Sequence, residues 1–375
     1  MNGIYIHIPF CKSKCHYCDF YSVIKSDEQE GFVKILLREF DLRNEYLTNK
    51  LVDTIYFGGG TPTLLHPGQL GSLLNRLAQQ YLVDNNAEIT IEANPDDLHP
   101  LALAKYRYIG FNRISIGVQS FFDEHLRFMN RRHDAAQAVN GVKMAAGSGF
   151  DNISIDLIYG IPGMTANQWK HNLKIAVSLP VTHISAYHLT IEPETQFGKL
   201  VKTGLLSEMP DEQSFEQYQI LLSILGNSGF EQYEISNFAR YDRFGRHNTK
   251  YWFGDSYLGV GPSAHSFNGT HRHWNTANLS RYAQDINNKK HPCGEKIDAV
   301  MHRNEYVMTR LRTSTGIDST DFIANFGKSG WIELLAMAGK HLLKGDLVLE
   351  NTRIFFTKEA WFYSDGILAD LFLVG

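Results

Sequence analysis

The sequence has few cysteines, no long apolar run and no strong excess of charge. Only four of its 375 residues are cysteine, and 43% are apolar, so a core of this size needs no disulfide bonds. No apolar run approaches the length of a membrane span, and the N-terminus has neither a basic segment nor a small-residue cleavage site. The net charge is −4 with acids and bases interspersed, which gives no sign of a nucleic-acid partner. We therefore expect a soluble, reduced, cytoplasmic protein without an integral membrane segment.

Three of the four cysteines lie together near the N-terminus, at Cys11, Cys15 and Cys18, whereas Cys293 is remote. Structural zinc sites and ferredoxin-type clusters use four protein ligands. A three-cysteine loop instead suits a 4Fe-4S cluster in which one iron keeps an open coordination position for a small molecule. Zinc is the alternative, but His16 lies directly beside Cys15, where it cannot easily reach the same ion, and no second paired motif follows.

Short β-type runs alternate with helical patterns through the first part of the chain. Six strands are predicted, at 3–8, 54–57, 88–92, 113–118, 153–158 and 182–189. Helical segments fit after them, at about 28–47, 68–81, 100–109, 133–148, 165–178 and 211–228. This order implies a parallel sheet, and a partial TIM-type (β/α)6 barrel is the economical interpretation. Such barrels bind ligands at the C-terminal ends of their strands.

The alternation stops after about residue 235, so we predict two domains, 1–235 and 236–375. The second contains predicted helices at 299–312 and 331–342, a hairpin formed by 347–349 and 354–356, and a terminal helix at 358–373. This pattern resembles an α+β, winged-helix-like domain. The balanced charge gives no basic face that would point to DNA.

Chemically notable residues follow the predicted strands. The second strand runs into a glycine-rich turn at 58–63, which either lets a ligand approach the backbone closely or simply makes a tight turn. The third strand ends at Glu92, whose carboxylate could accept hydrogen bonds from a ribose or an ammonium group. The fifth carries Asp156 inside an apolar run, where an unpartnered charge is costly. A ligand or a basic side chain such as Arg131 should therefore pair with Asp156, although Arg131 could also be a solvated cation at a helix start.

These motifs occur in one order: Tyr-Ile-His-Ile-Pro from Tyr5, the cysteine loop, Gly-Gly-Gly-Thr-Pro-Thr, Glu-Ala-Asn-Pro, Gly-Val-Gln-Ser and Asp-Leu-Ile-Tyr-Gly-Ile-Pro-Gly. Together they resemble the branch of radical S-adenosylmethionine (SAM) proteins that contains the oxygen-independent coproporphyrinogen III oxidase and its haem-chaperone relatives. The resemblance implies a radical SAM barrel whose 4Fe-4S cluster is held by Cys11, Cys15 and Cys18 and binds SAM at its open iron. It implies SAM contacts from Tyr5, Tyr17, Gly59, Gly60, Thr61, Glu92, Gln119, Arg131 and Asp156.

Two features separate the members of this branch. The oxidase has a further cysteine two residues after its third ligand, whereas this chain has Phe20, which argues against decarboxylase activity. The segment from His247 to Trp252 matches the His-Asn-x-x-Tyr-Trp motif of the haem chaperones. Histidine is a standard axial ligand of haem iron, and Tyr251 and Trp252 offer flat faces for a macrocycle. A single histidine among sixteen is otherwise more often a packed residue.

The resemblance therefore implies a haem chaperone that binds haem, passes it to an unidentified apo-haemoprotein, and carries a 4Fe-4S cluster with exchangeable SAM. We assign no catalytic residue, place His247 at the haem, and consider a homodimer. The alternative is the oxidase, which would decarboxylate coproporphyrinogen III after reductive cleavage of SAM. A zinc-stabilised interaction protein would need a fourth ligand that the sequence does not show.

Overall fold

The computed structural model describes residues 1–24 and 28–374. The strands are β1 (Asn2–Ile8), β2 (Leu51–Gly59), β3 (Leu82–Ala93), β4 (Arg113–Gln119), β5 (Asn152–Tyr159), β6 (His183–His188), β7 (Glu231–Gln232), β8 (Asn237–Ala239), β9 (Tyr257–Val260), β10 (His265–Phe267), β11 (His271–Trp274), β12 (Cys293–Lys296), β13 (Ile317–Asp318), β14 (Leu347–Glu350) and β15 (Arg353–Phe356). The helices are α1 (Gln29–Leu42), α2 (Pro67–Gln80), α3 (Pro100–Tyr108), α4 (Asp123–Phe128), α5 (Ala135–Gly147), α6 (Ala166–Ser178), α7 (Gln196–Lys202), α8 (Asp211–Asn227), α9 (Arg246–Phe253), α10 (Leu279–Asn287), α11 (Ala299–Leu311), α12 (Ser319–Lys344) and α13 (Ser364–Asp370).

Strands β1 to β6 form the predicted partial barrel. They pair in chain order, and every pair among them is parallel. A helix follows each of them in the chain, as the alternating pattern predicts. The (β/α)6 prediction is confirmed, and the six predicted strands lie within or close to the observed ones.

The two faces of the barrel strands differ in chemistry because side chains alternate along a strand. On β4, Ile114, Ile116 and Val118 are fully buried and pack outward beneath the helices. The residues between them, including Ser115, face the barrel interior, where the Ser115 hydroxyl reaches Asp156 of β5. Polar side chains therefore collect inside the barrel, while the apolar core lies between the sheet and the helices.

Side-chain caps fix where several helices begin. Asp134 and Gln137 form a capping box at the start of α5, and Thr165 and Gln168 form another at the start of α6. Each box satisfies backbone N–H groups that have no partner within the helix. The loop before α5, which carries Arg131, and the loop before α6 therefore both end at a defined residue.

The large sheet extends beyond the barrel at both edges. Strand β9 pairs parallel with β1, and the antiparallel strands β10 to β12 continue from β9. At the other edge, β8 and β7 add antiparallel to β6. The sheet therefore contains residues on both sides of position 235, and the domain division at that residue stays a prediction. A smaller sheet, β13-β15-β14, lies with α11, α12 and α13 in the C-terminal α+β part.

Several element boundaries differ from the predicted ones. The predicted terminal helix at 358–373 is wrong in extent, because a 3-10 turn at Ala360–Tyr363 precedes the short α13. In this turn Phe362 packs on Tyr218 of α8, with 5.5 Å between ring centroids, so the chain follows the surface of α8. Helix α12 begins well before the predicted 331 and is interrupted at Gly327, whose φ is +78°.

Within the described ranges, no helix has the length and apolarity needed to cross a membrane.

Candidate cofactor site

The loop after β1 brings the three cysteines to the C-terminal end of the barrel. Cys11, Cys15 and Cys18 are half-buried free thiols that line one cavity of about 500 Å³. The Thr61 hydroxyl donates to Cys11 Sγ at 3.8 Å, and Arg131 Nη1 donates to Cys15 Sγ at 3.3 Å. Donors aimed at sulfur suit thiolate ligands.

The sulfur environment fits an iron-sulfur cluster. Burial raises the pKa of Cys11, and burial raises the pKa of Cys18 to about 11, so these thiols need a nearby cation to ionise at neutral pH; a bound metal cluster would supply that charge. Among the described residues, no three His, Cys, Asp or Glu side chains lie close enough to hold a single metal ion. A 4Fe-4S cluster does not require this, because each thiolate binds a different iron.

The cavity gathers almost all of the residues that sequence reasoning assigned. Besides the three cysteines, its lining includes Tyr17, Gly59, Gly60, Thr61, Glu92, Gln119, Arg131 and Asp156. Tyr5 and His247 are the two assigned residues outside this lining. Tyr5 points into the barrel below the cavity, where its hydroxyl lies 3.1 Å from His7 Nδ1. The barrel therefore brings the C-terminal ends of β2 to β6 and the loop after β1 around one cavity.

The glycine turn lacks side chains because its surroundings leave no room for them. A Cβ on Gly59 would lie 2.5 Å from the His7 ring, and this glycine has a φ of +106°. A Cβ on Gly60 would lie 2.6 Å from the Phe10 carbonyl oxygen. The turn is thus packed against the cysteine loop, and its backbone faces the cavity.

Glu92 is held toward this turn by two donors. The Tyr56 hydroxyl donates to Oε1 at 2.7 Å, and the Gly59 backbone N–H donates to Oε2 at 3.1 Å. Burial, reinforced by Asp156, raises the pKa of Glu92 to about 7, although the Tyr56 hydrogen bond opposes the rise. A carboxylate with remaining lone pairs on a cavity wall can accept from an amine or a sugar hydroxyl.

The pKa of Glu92 predicts how SAM binding depends on pH. Glu92 is mostly protonated at about pH 6 and mostly ionised at about pH 8, and only the ionised form offers full acceptor capacity. SAM affinity, measured by equilibrium dialysis of the reconstituted protein, should therefore rise about tenfold over this range and then level off. The amino group of SAM also titrates, so Glu92→Gln is the control, and an identical pH profile in that variant would contradict the assignment.

Asp156 and Arg131 have different partners from those expected. Asp156 accepts from Ser115 Oγ at 3.3 Å and from the Ser185 hydroxyl, and burial still raises its pKa. Arg131 Nη2 donates to Asn94 Oδ1 and to the Gly117 carbonyl, both at 2.6 Å. Because these are its direct partners, Arg131 joins the cysteine loop to the ends of β3 and β4. Arg131, the candidate partner of Asp156, forms no direct ion pair with it among the described residues, but the positive charges of Arg113 and Arg131 both oppose the rise in the pKa of Asp156.

Several residues of the cavity were left unassigned by sequence reasoning. Tyr187 and Thr190 line it from β6 and the segment that follows, and Asn94 lines it after β3. Asn94 also donates to Thr61 Oγ1 at 2.9 Å. Its position directly after Glu92 and Ala93 was a usable signal, because polar residues at the C-terminal ends of barrel strands commonly bind ligands.

His247 occupies the opposite end of the barrel. The backbone N–H groups of Arg246 and His247, at the start of α9, donate to the carboxylate of Glu88, which pairs with Thr54 of β2 in the sheet. Lys250 in the same helix forms a 2.7 Å ion pair with Asp53 near the beginning of β2. Helix α9 therefore covers the N-terminal ends of the strands, whereas the cysteines lie beyond their C-terminal ends.

The His247 side chain is buried, and both of its ring nitrogens are engaged. Nδ1 lies 2.9 Å from Thr54 Oγ1 and Nε2 lies 2.9 Å from the Tyr251 hydroxyl. Its ring stacks on Tyr56 with 5.2 Å between centroids. Burial, followed by the charge of Lys250, lowers the pKa of His247 to about 3. The imidazole is therefore neutral at physiological pH, and its nitrogens point into the protein.

Comparison with known proteins shows which family the chain resembles. Residues 5–176 match the radical SAM superfamily. The heme chaperone HemW of Bacillus subtilis (strain 168) is 35% identical, covering 88% of this chain and 88% of that relative. HemW of Escherichia coli (strain K12) is 38% identical over 70% of this chain and 69% of the relative. The solved structure of coproporphyrinogen III oxidase (HemN) from Escherichia coli superimposes with a TM-score of 0.85 and 23% identity, covering 98% of this chain and 89% of that one, which shows the shared fold.

The chain therefore belongs to the radical SAM superfamily, whose members use a 4Fe-4S cluster and SAM. Within that superfamily it is a member of the HemW family.

Proposed function

We propose that this chain binds haem and delivers it to an apo-haemoprotein, and that SAM binds exchangeably to its 4Fe-4S cluster. The observation that carries the proposal is the similarity to heme chaperones over most of the chain, together with a His-Asn-x-x-Tyr-Trp segment that forms α9. We further propose that the protein acts in the cytoplasm.

The cysteine loop supports a carrier rather than a decarboxylase. Phe20 stands where the oxidase has a further cysteine, and its side chain is 71% exposed at the edge of the cavity. The oxidase with the same fold is only 23% identical, so that likeness supports the architecture and not the reaction. We therefore assign no catalytic residue to this cavity.

The geometry of His247 sets a condition for haem binding at the motif. An axial ligand must offer a free ring nitrogen, yet Thr54 and Tyr251 engage both. Each such hydrogen bond is worth about 0.5–1.5 kcal/mol net, which an iron–nitrogen bond can offset. We propose that His247 turns outward, or that α9 shifts, when haem binds. Because the imidazole is already neutral, no proton has to leave it first.

Haem delivery can be separated from passive release by its kinetics. In direct transfer, the rate of haem uptake by an apo-haemoprotein rises with acceptor concentration, because the transfer complex forms faster. Passive release instead gives a rate that is independent of the acceptor. We expect a rate that rises with acceptor concentration. The measurement is stopped-flow absorbance after haem-loaded protein is mixed with apo-forms of b-type haemoproteins from the organism that encodes this chain. Apomyoglobin serves as the scavenger control, and acceptor-independent rates with every partner would contradict delivery.

A further inference from the structure

The Tyr56 side chain connects the two ends of the barrel interior. Its hydroxyl donates to the Glu92 carboxylate at 2.7 Å, on the side of the SAM cavity. Its ring stacks on the imidazole of His247, with 5.2 Å between centroids and 27° between planes. Tyr56 is therefore in contact both with a residue assigned to SAM and with the histidine assigned to haem.

The packing around Tyr56 leaves little room for independent movement. A Cβ on Gly58 would lie 2.8 Å from the Tyr56 ring and 2.9 Å from Glu92 Oε1, so both side chains fill the space that the glycine leaves. Thr54 on the same face of β2 bonds to His247. Three successive inward positions of β2 therefore form one contact path. Thr54 bonds to the imidazole, Tyr56 supplies the phenol, and Gly58 leaves the space that the phenol and the Glu92 carboxylate fill.

We propose that Tyr56 is a positioning residue that holds Glu92 for SAM and makes SAM binding and haem ligation by His247 mutually antagonistic. The haem part of this inference rests on the proposed function. If His247 moves to bind the haem iron, Tyr56 loses the imidazole ring on which it stacks. Tyr56 then gains freedom to move, and its hydrogen bond to Glu92 weakens. Because coupling between two sites is reciprocal, SAM should weaken haem binding by the same factor.

The direction of this coupling gives the protein an order of events. A chain with SAM bound has Glu92 held by Tyr56, and His247 is retained under the ring. A chain with haem bound has released His247 and binds SAM less tightly. Arrival of SAM at one end of the barrel would therefore favour departure of haem from the other.

The test measures SAM affinity of the reconstituted full chain by equilibrium dialysis, with and without saturating haem. We expect Tyr56→Phe to weaken SAM binding about tenfold without haem, because a hydrogen bond to a charged group is lost. The same variant should shift the pH dependence of SAM binding upward, because the Tyr56 hydrogen bond lowers the pKa of Glu92. In the wild type, haem should weaken SAM binding about fivefold or more, and this difference should disappear in Tyr56→Phe.

Tyr282→Phe is the matched control. Tyr282 is also a buried tyrosine that donates to a buried glutamate, Glu39, but it lies outside the cavity. This variant should bind SAM as the wild type does. SAM affinity in Tyr56→Phe equal to that of the wild type would overturn the positioning role. Haem binding with no effect on SAM affinity would overturn the coupling alone, whereas a wild type that binds no haem would refute the proposed function and the coupling together.

Discussion

Replacing Cys15 with serine should reduce the iron content of the anaerobically reconstituted protein from about four per chain to background. Cys15 is one of three thiols on the cavity wall, and it receives the hydrogen bond from Arg131. Without Cys15 only two of the four irons keep a protein ligand. A serine hydroxyl does not replace the lost thiolate at neutral pH. The reduced EPR signal, and its change on addition of SAM, should both be lost.

Cys293→Ser is the control for this experiment. Cys293 is exposed in β12 and does not line the cavity, so its replacement should leave iron content and the SAM response unchanged. Retention of about four irons by Cys15→Ser would contradict the assignment of the cluster. Stoichiometric zinc in wild-type protein prepared under iron-replete anaerobic conditions would contradict it equally.

Replacing His247 with alanine should weaken haem binding by more than about 100-fold. Outer-shell partners of a metal ligand are already worth 10- to 100-fold, and the loss of the ligand itself should exceed that. The Soret band that develops when haem is titrated into the protein is the measurement. Iron content should remain near that of the wild type, because the cysteines lie at the other end of the barrel.

His183→Ala separates a lost ligand from a damaged fold. Like His247, His183 is buried, and its Nδ1 and Nε2 lie 2.7 Å from Ser154 Oγ and 2.8 Å from the Tyr233 hydroxyl. Both variants should lose comparable stability in thermal unfolding, but only His247→Ala should lose haem. An unaltered Soret titration in His247→Ala would return this residue to a packing role. The exposed His265 of β10 and His188, whose Nε2 lies 3.0 Å from Ser214 Oγ, would be the next ligands to test.

The barrel and its cavity were predictable because their signals are local. Each barrel strand is a short apolar run, and each ends in residues such as Glu92 that suit a ligand better than a core. Parallel strands bring those ends to one edge, so sequence order alone places Gly59, Glu92 and Asp156 near the cysteine loop. The structure confirms that these residues share one cavity.

The partners of individual side chains were not predictable, because they depend on long-range packing. Arg131 was a candidate partner of Asp156, with a solvated position at a helix start as the alternative, yet its guanidinium donates to Cys15 and Asn94. The short strands β10 to β12 carry little apolar pattern and are fixed mainly by pairing with β9 and with one another. The burial of His247 follows from where α9 docks, against Glu88 of β3, and nothing in its own motif indicates that position.

The central claim, that this chain carries haem rather than transforming a porphyrinogen, is tested most directly in one anaerobic preparation. A single reconstituted sample, supplied with SAM and reductant, is divided between a haem titration and an assay with coproporphyrinogen III. We predict a saturable Soret band with about one haem per chain, as expected for one axial histidine site, and no protoporphyrinogen IX. Repeated turnover to protoporphyrinogen IX coupled to SAM consumption, with no saturable haem binding, would contradict the account.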